Sequence, residues 1–250
     1  EAAPGARFLV LTGENAAHAK VLRLKPGERV TVCDAKGTDF QCTVSDVAPG
    51  QISLVVQCEE PSCAEPAVFC SVYMAFAKAE KLEHVIQKAT ELGAGEIVAF
   101  PSSRCVTKPD DKALSKKLER WQKIAASAAE QSGRGRIPQV RALGSFREAV
   151  LEASGCDLAL FPYENEKTLS LRDCLNTGTY RSVSIMTGPE GGFSEEEVAL
   201  AAENNMKICS LGPRILRCET APLCALTAVL YASGALDRSA DEKDGSHGKE

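Results

Sequence analysis

The chain has 250 residues, 44% of them hydrophobic and 25% charged, with a formal net charge of -5 at pH 7; this is an ordinary globular composition with room for one large domain or two modest ones. No stretch approaches the roughly 18 consecutive apolar residues of a membrane span and no signal-peptide core opens the chain, so a cytoplasmic location is expected, with a removed leader left open. The 11 cysteines include no C-x-x-C pair and are accompanied by only His18, His84 and His247, so they read as small, mostly buried hydrophobes in a reducing compartment, with no metal site expected.

In chain order, residues 7–58 read as short strands and turns. Thr31 and Cys33, then Phe40, Cys42 and Val44 beyond the "AKG" turn, alternate with period two, and Gly37 falls where a hairpin connection belongs. "AHAKVLRLKPGE" interrupts this β module as a short helix stopping at Pro26-Gly27. "EEPSCAEPAV", with Pro61 and Pro66, reads as a linker. After it the rhythm becomes strand, helix, strand. "VFCSVYMAF" is a buried strand, and "AEKLEHVIQKATELG" puts Leu82, Val85, Ile86, Ala89 and Leu92 on one helical stripe ending at Gly93. "EIVAFPS" is a strand, and a long helix carries Leu114, Leu118, Trp121, Ala125 and Ala128 to Gly133. "CDLALFPY", "RSVSIMTG" and "KICSLG" are further strands, "SEEEVALAAENN" a helix, and "ETAPLCALTAVLYASGAL" a final apolar helix. Alternation of this kind predicts an α/β fold with a mostly parallel sheet covered by helices. Domains are expected at 1–66 and 67–238, followed by a disordered tail at 239–250. Residues 78–148 are rich in Lys and Arg while the flanking parts are acidic, which fits a phosphate-facing surface or a solvated charged helix.

Two loops carry the chemistry. In "MTGPEGGFSEEEV", Ser194 is an N-cap, Glu197 completes a capping box, Phe193 and Val198 form a staple, and Glu195 to Glu197 complement the helix dipole. A helix start already facing carboxylates is unsuited to phosphate, and neither a P-loop nor a dinucleotide fingerprint is present. The glycine turn therefore suits a neutral or cationic ligand, or is simply a tight strand-to-helix connection. "SLGPRILRCETAPLCAL" repeats the device with Gly212-Pro213, Arg214, Arg217 and Glu219 before a helix with Pro222 in its first turn. If the two strands are neighbours in a parallel sheet, both turns face one edge, the carboxyl edge where ligands bind.

The ordered set "VLRLKPGE", "VIQKATELG", "SSRC", "RWQKIAASAAEQSGRGRIP", "GPEGG" and "LGPRILRCET" resembles the SPOUT-class 16S ribosomal RNA (uracil-N3) methyltransferases. The resemblance implies an N-terminal PUA-like β-barrel that binds RNA, a C-terminal α/β domain tied in a deep trefoil knot, a homodimer, and S-adenosylmethionine as methyl donor. It implies a donor pocket built from Phe161 and Pro162, from Thr187, Gly188, Pro189, Glu190, Gly191 and Gly192, and from Leu211, Gly212, Pro213, Ile215 and Leu216. The target would be one uridine in the decoding region of 16S ribosomal RNA in the assembled small subunit. A knotted methyltransferase of another RNA position, or a non-catalytic ribosome-assembly protein, stands beside that reading. The family commonly has threonine where Cys218 stands and a small residue where Pro222 stands.

Uracil N3 carries a weakly acidic proton, so its methylation requires a site that favours the anion. Arg217 is the first candidate for the stabilising cation and Arg214 the second, with Glu219 orienting an arginine or accepting the proton. N3 needs no covalent adduct, so Cys218 is not expected to act as a nucleophile, and neither His18 nor His84 reads as a base. Expected RNA contacts are Arg7, His18, Arg23, Lys88, Arg104, Gln131, and above all Arg134 and Arg136, read as a forked cationic tip beyond Gly133.

Overall fold

A computed structural model describes residues 7–78, 80–176 and 178–237; the expected tail at 239–250 lies outside the described residues. Two compact units are present. One comprises the described residues up to Glu65 together with Arg134–Arg136, and the other comprises Pro66–Gly133 and the described residues from Ile137 onward.

The first unit holds β1 (Phe8–Thr12), α1 (Gly13–Val21), β2 (Arg29–Cys33), β3 (Thr38–Ala48) and β4 (Gln51–Pro61). Its strands form one antiparallel sheet in the order β1-β4-β3-β2. α1 starts earlier than the sequence suggests and ends before Pro26, because Arg23 takes a left-handed conformation, φ 56°, that breaks the helix. The hairpin register also differs in detail. Val30 pairs with Cys42 and Val32 with Phe40, so the two valines, rather than Thr31 and Cys33, share the inner face with Phe40, Cys42 and Val44. The Asp34 carboxylate fixes that register by accepting the backbone N–H groups of Lys36 and Thr38 at 2.7 and 3.0 Å. Cys42, Val44, Ile52, Leu54 and Ala19 form the buried core.

Residues 134–136 complete this unit. The N–H of Gly37 donates to the Gly135 carbonyl at 2.8 Å, and Arg136 bridges to Lys36 in antiparallel fashion. A Cβ on Gly135 would lie 2.2 Å from that of Ser62, so only glycine fits. Arg134 is buried, its Nη2 and Nε donating to Glu65 at 2.6 and 3.2 Å. The sequence reading of a forked tip is thereby corrected: a guanidinium only 3% exposed and paired bidentately has no face left for a phosphate. Arg136 alone keeps its side chain exposed.

The second unit runs β5 (Phe69–Ala75), α2 (Lys81–Leu92), β6 (Glu96–Phe100), α3 (Asp111–Ser132), β7 (Gln139–Ala142), α4 (Phe146–Ala153), β8 (Leu158–Pro162), α5 (Leu171–Leu175), β9 (Ser182–Thr187), α6 (Glu195–Glu203), β10 (Lys207–Cys209) and α7 (Ala221–Ala232). Every strand pairs in parallel, in the order β10-β8-β9-β5-β6-β7. Alternate residues supply opposite faces. Val72, Met74, Ile97, Leu160 and Ile185 pack with α2, α3 and α7, whereas Tyr73, Ala75, Val98, Phe161 and Met186 pack with α4 and α6. The predicted stripe on α2 is buried except for Leu92, which is half-buried, and both α2 and α3 stop at left-handed glycines, Gly93 and Gly133. Among the described residues no helix is long and apolar enough to cross a membrane.

Replacing Arg134 by Ala strands the Glu65 carboxylate, and the expected loss is about 3 kcal/mol of unfolding free energy, read from urea denaturation of the whole chain. A loss below about 0.5 kcal/mol, the value of an ordinary surface substitution, would show the pair to be dispensable.

Candidate functional site

In a parallel sheet every strand ends at the same edge. The strands before the two glycine loops, β9 and β10, are not neighbours; β8 lies between them. Both loops still open on one edge because all three strands run in parallel, and the end of β8 joins them there.

The loop after β9 is shaped by its glycines. The N–H of Gly192 donates to the Pro189 carbonyl at 2.9 Å, closing a tight turn at φ 66°. That positive φ is what favours glycine at 192; a Cβ there would meet only the movable end of the exposed Glu164 side chain. The capping box at Ser194 and Glu197 forms as the sequence indicates, and Phe193 and Val198 join one apolar cluster. Glu197 has a second task. One of its oxygens accepts the Ser194 N–H at 2.9 Å and the other accepts the Ser103 N–H at 2.7 Å, tethering the segment 102–105. From that segment Arg104 donates to the Gly191 carbonyl at 3.0 Å.

In the loop after β10, Ser210 Oγ accepts the Gly212 N–H at 3.1 Å while Gly212 adopts φ 106°. The Arg217 carbonyl accepts the N–H groups of Thr220 and Ala221, which starts α7 with Pro222 in its first turn.

Between these loops lies a cavity of about 330 Å³. Pro162 borders it from β8. Thr187, Gly188, Pro189, Glu190 and Gly192 line it from the first loop, and Leu211, Gly212, Pro213, Ile215 and Leu216 from the second, with Arg214 and Arg217 also in the wall. Two residues expected in the lining are not there. Phe161 is fully buried, its ring 4.4 Å from that of Phe193, because Ala159 and Phe161 of β8 face the layer formed by α4 and α6. Gly191 has its carbonyl covered by Arg104. Glu219 also stands outside the lining.

The charge pattern contains a residue the sequence reading missed. Lys81 Nζ reaches the cavity from the first position of α2, 3.1 Å from Glu190 Oε1 and 3.6 Å from Glu219 Oε2. The Lys78 N–H also donates to Glu190 Oε1 at 3.0 Å. Burial would raise the Glu190 carboxyl, but its own backbone N–H, that of Lys78 and the Lys81 ammonium together hold it below its ordinary value. Hydrogen bonding to Glu190 raises Lys81 in turn. The Cys218 thiol donates to Glu219 Oε2 at 3.3 Å, and burial, then that carboxylate, push it up to about 12. A thiol held that high keeps its proton at neutral pH. A lysine opening a helix opposes the dipole, and that conflict was visible in "AEKLEHV".

Of the expected RNA contacts, Arg7 is paired with Glu59 and lies over the Phe40 ring, Lys88 is paired with Glu91 at 2.7 Å, and Arg104 holds Gly191. His18 lies in α1, Arg23 is exposed just after it, and Gln131 is exposed near the end of α3.

Residues 64–230 match the RNA methyltransferase domain, and residues 11–57 match the RNA methyltransferase PUA domain. The chain is 38% identical to ribosomal RNA small subunit methyltransferase E of Bacillus subtilis, covering 90% of this chain and 91% of that one. Identity to the protein of the same name from Mycobacterium bovis is 32%, over 93% and 90% of the two chains. The crystal structure of the Neisseria gonorrhoeae ribosomal RNA small subunit methyltransferase E bound to S-adenosylmethionine superposes with a TM-score of 0.81 at 30% identity, over 92% of this chain and 94% of that one. The edge cavity with its two glycine loops is thus part of a shared fold, and the chain belongs to the RNA methyltransferase family of the small-subunit methyltransferase E type.

Proposed function

We propose that this chain transfers a methyl group from S-adenosylmethionine to N3 of one uridine in the decoding region of 16S ribosomal RNA, acting on the assembled small subunit in the cytoplasm. The observation that carries the reading is the cavity at the carboxyl edge. Its walls combine glycine-rich backbone and apolar side chains with the cations Lys81, Arg214 and Arg217 and the carboxylates Glu164 and Glu190, and the Glu190 carboxyl is held below its ordinary value. The carboxylate beside the glycine loop suits a ligand that carries positive charge, and the crystal structure of a relative at 30% identity has S-adenosylmethionine bound.

Bound there, S-adenosylmethionine supplies an electrophilic methyl group on a positively charged sulfur. The chain's own task is to hold that charge and to favour loss of the N3 proton. Glu190 places negative charge in the wall. Leu211 and Leu216 offer apolar surface to an adenine, and Gly188 and Gly212 let backbone approach the ligand closely. Arg214 and Arg217 are exposed at the cavity, where they face the negative charge that develops on N3 and its flanking carbonyl oxygens. Burial would raise the Glu219 carboxyl, yet its own N–H, the Cys218 thiol, Lys81 and Arg217 hold it low. It is therefore a poor proton acceptor, and the N3 proton goes to water.

The same reading makes the two loops parts of a deep trefoil knot. From β10, at one border of the sheet, the chain returns to α7 against β5 and β9 in its middle, a path compatible with a knot. It also makes the protein a homodimer. Cys224, Thr227 and Tyr231 are exposed on one face of α7, and the Tyr231 ring, 77% exposed, is an aromatic surface suited to a two-fold contact.

Mass mapping of 16S ribosomal RNA from cells with and without the protein is expected to show one N3-methyluridine lost in its absence; identical maps would overturn the target assignment. Arg217→Ala is expected to lower kcat about 100-fold, the order of one oxyanion donor, while calorimetry gives donor affinity within about twofold of the parent. Unchanged turnover would remove Arg217 from the chemistry. Sedimentation is expected to give a dimer that Tyr231→Glu converts to monomer, and a dimer that withstands the change would place the contact elsewhere.

A further inference from the structure

The segment before α2 and the two loops meet at one ammonium group. Lys81 sits where the partial positive charge of the α2 N-terminus disfavours a cation, and it is held there by carboxylates from opposite sides. Glu190, from the loop after β9, lies 3.1 Å from Nζ, and Glu219, from the loop after β10, lies 3.6 Å away. The three side chains are 29%, 25% and 23% exposed, so the cluster is only partly wet. Cys218 Sγ lies 3.9 Å from the same Nζ and donates to Glu219, and the Lys78 N–H supports Glu190 from the α2 side. No other side chain of the cavity wall is bonded to both loops among the described residues.

We propose that Lys81 is a positioning residue of the methyl-donor site, tying the Glu190 loop to the Glu219 loop at the spacing a sulfonium-bearing donor needs and turning the Glu190 carboxylate toward it. This rests on the reading that the cavity holds S-adenosylmethionine. Glu219, outside the lining, acts through Lys81. Without the ammonium, two carboxylates face each other across the loops, and like charges either push the loops apart or take up a proton. Either outcome weakens a site built for a cation.

The sign of the pH effect follows from the groups facing each carboxylate. Glu190 is faced by Lys81 and the Cys218 thiol; Glu219 is faced by Lys81, Cys218 and Arg217. Both carboxyls lie below their ordinary value, so the binding they support is present at neutral pH and lost only as pH falls through those lowered values. Lys81→Met removes the cation common to both. The acid limb of donor affinity then moves to higher pH, whereas Lys81→Arg keeps the charge and the limb in place.

The test is calorimetric titration of the full chain with S-adenosylmethionine between about pH 4 and pH 8, spanning the ordinary carboxylate range. Melting curves without donor and kcat at saturating donor accompany it. Lys81→Met is expected to raise the donor Kd about tenfold at neutral pH, a loss of about 1.4 kcal/mol, and to shift the acid limb upward. kcat is expected to fall less than about threefold, and Lys81→Arg to restore both affinity and limb. Met and Arg variants that both bind like the parent with the parent's acid limb would overturn the proposal, as would a loss confined to kcat. Should Lys81→Met fail to fold, Glu219→Gln cuts the same bridge from the far side. It is expected to weaken donor binding about threefold, and parent-like affinity there would equally overturn the proposal. A parent protein that binds no donor at all would overturn the site assignment itself, and the inference with it.

Discussion

The parallel alignment of all six strands in the second unit is the constraint on which the rest depends. It puts the ends of β8, β9 and β10 on one edge although β9 and β10 are not neighbours. Buried on both faces, such strands must be apolar at successive positions, as Leu158 to Phe161 and Val183 to Met186 are, apart from the buried Ser184. That leaves polar and flexible residues to concentrate in the loops beyond the strand ends. The cavity is the consequence: three loops of different chemistry, with a sheet core beneath them that fixes their origins.

Much of this was legible in the sequence, and what was hidden has physical reasons. The capping box at Ser194 and the glycine stops of α2 and α3 are local devices, set by residues three or four apart, so the chain states them directly. β7, α4 and α5 went unread because four, eight and five residues give too little periodicity to stand out. For α4 the signal was nonetheless there, since Ser145 accepts the Glu148 N–H as an N-cap. The resemblance implies Phe161 in the cavity, but facing alternates along a strand and it falls on the side of α4 and α6, outside the lining. Arg134 and Lys81 failed in opposite directions. Each depends on a carboxylate far away in the chain, Glu65 for one and Glu190 and Glu219 for the other, and the partners leave no local trace, although the lysine at a helix start does. An arginine that reads as an RNA contact is part of the structure, and a lysine that carries no motif stands in the cavity wall.

The cations of the site divide by environment. Arg214 and Arg217 are exposed, where solvent screens their charge until a substrate covers them. Lys81 is partly enclosed and already neutralised by two carboxylates. The division suits a reaction in which a positive donor and a negative nucleophile must approach each other. In the proposed reaction the two carboxylates around Lys81 would hold the first, and the exposed Arg214 and Arg217, strengthened when an incoming base displaces water, would favour the second. Reversing the arrangement would repel both reactants.

Cys218 shows how the same logic fixes the behaviour of an uncommon residue. Thiols become reactive through nearby cations, and Lys81 Nζ lies 3.9 Å away. Yet burial and the Glu219 carboxylate outweigh that cation, and the thiol is pushed up to about 12. With its proton retained, the sulfur serves as a donor to Glu219, a role that a threonine hydroxyl can also fill. The exchange of oxygen for sulfur at this position therefore preserves the polarity that Lys81 and Glu219 require. The position stays available for bridging, and burial together with the carboxylate that makes the bridge disfavours the thiolate.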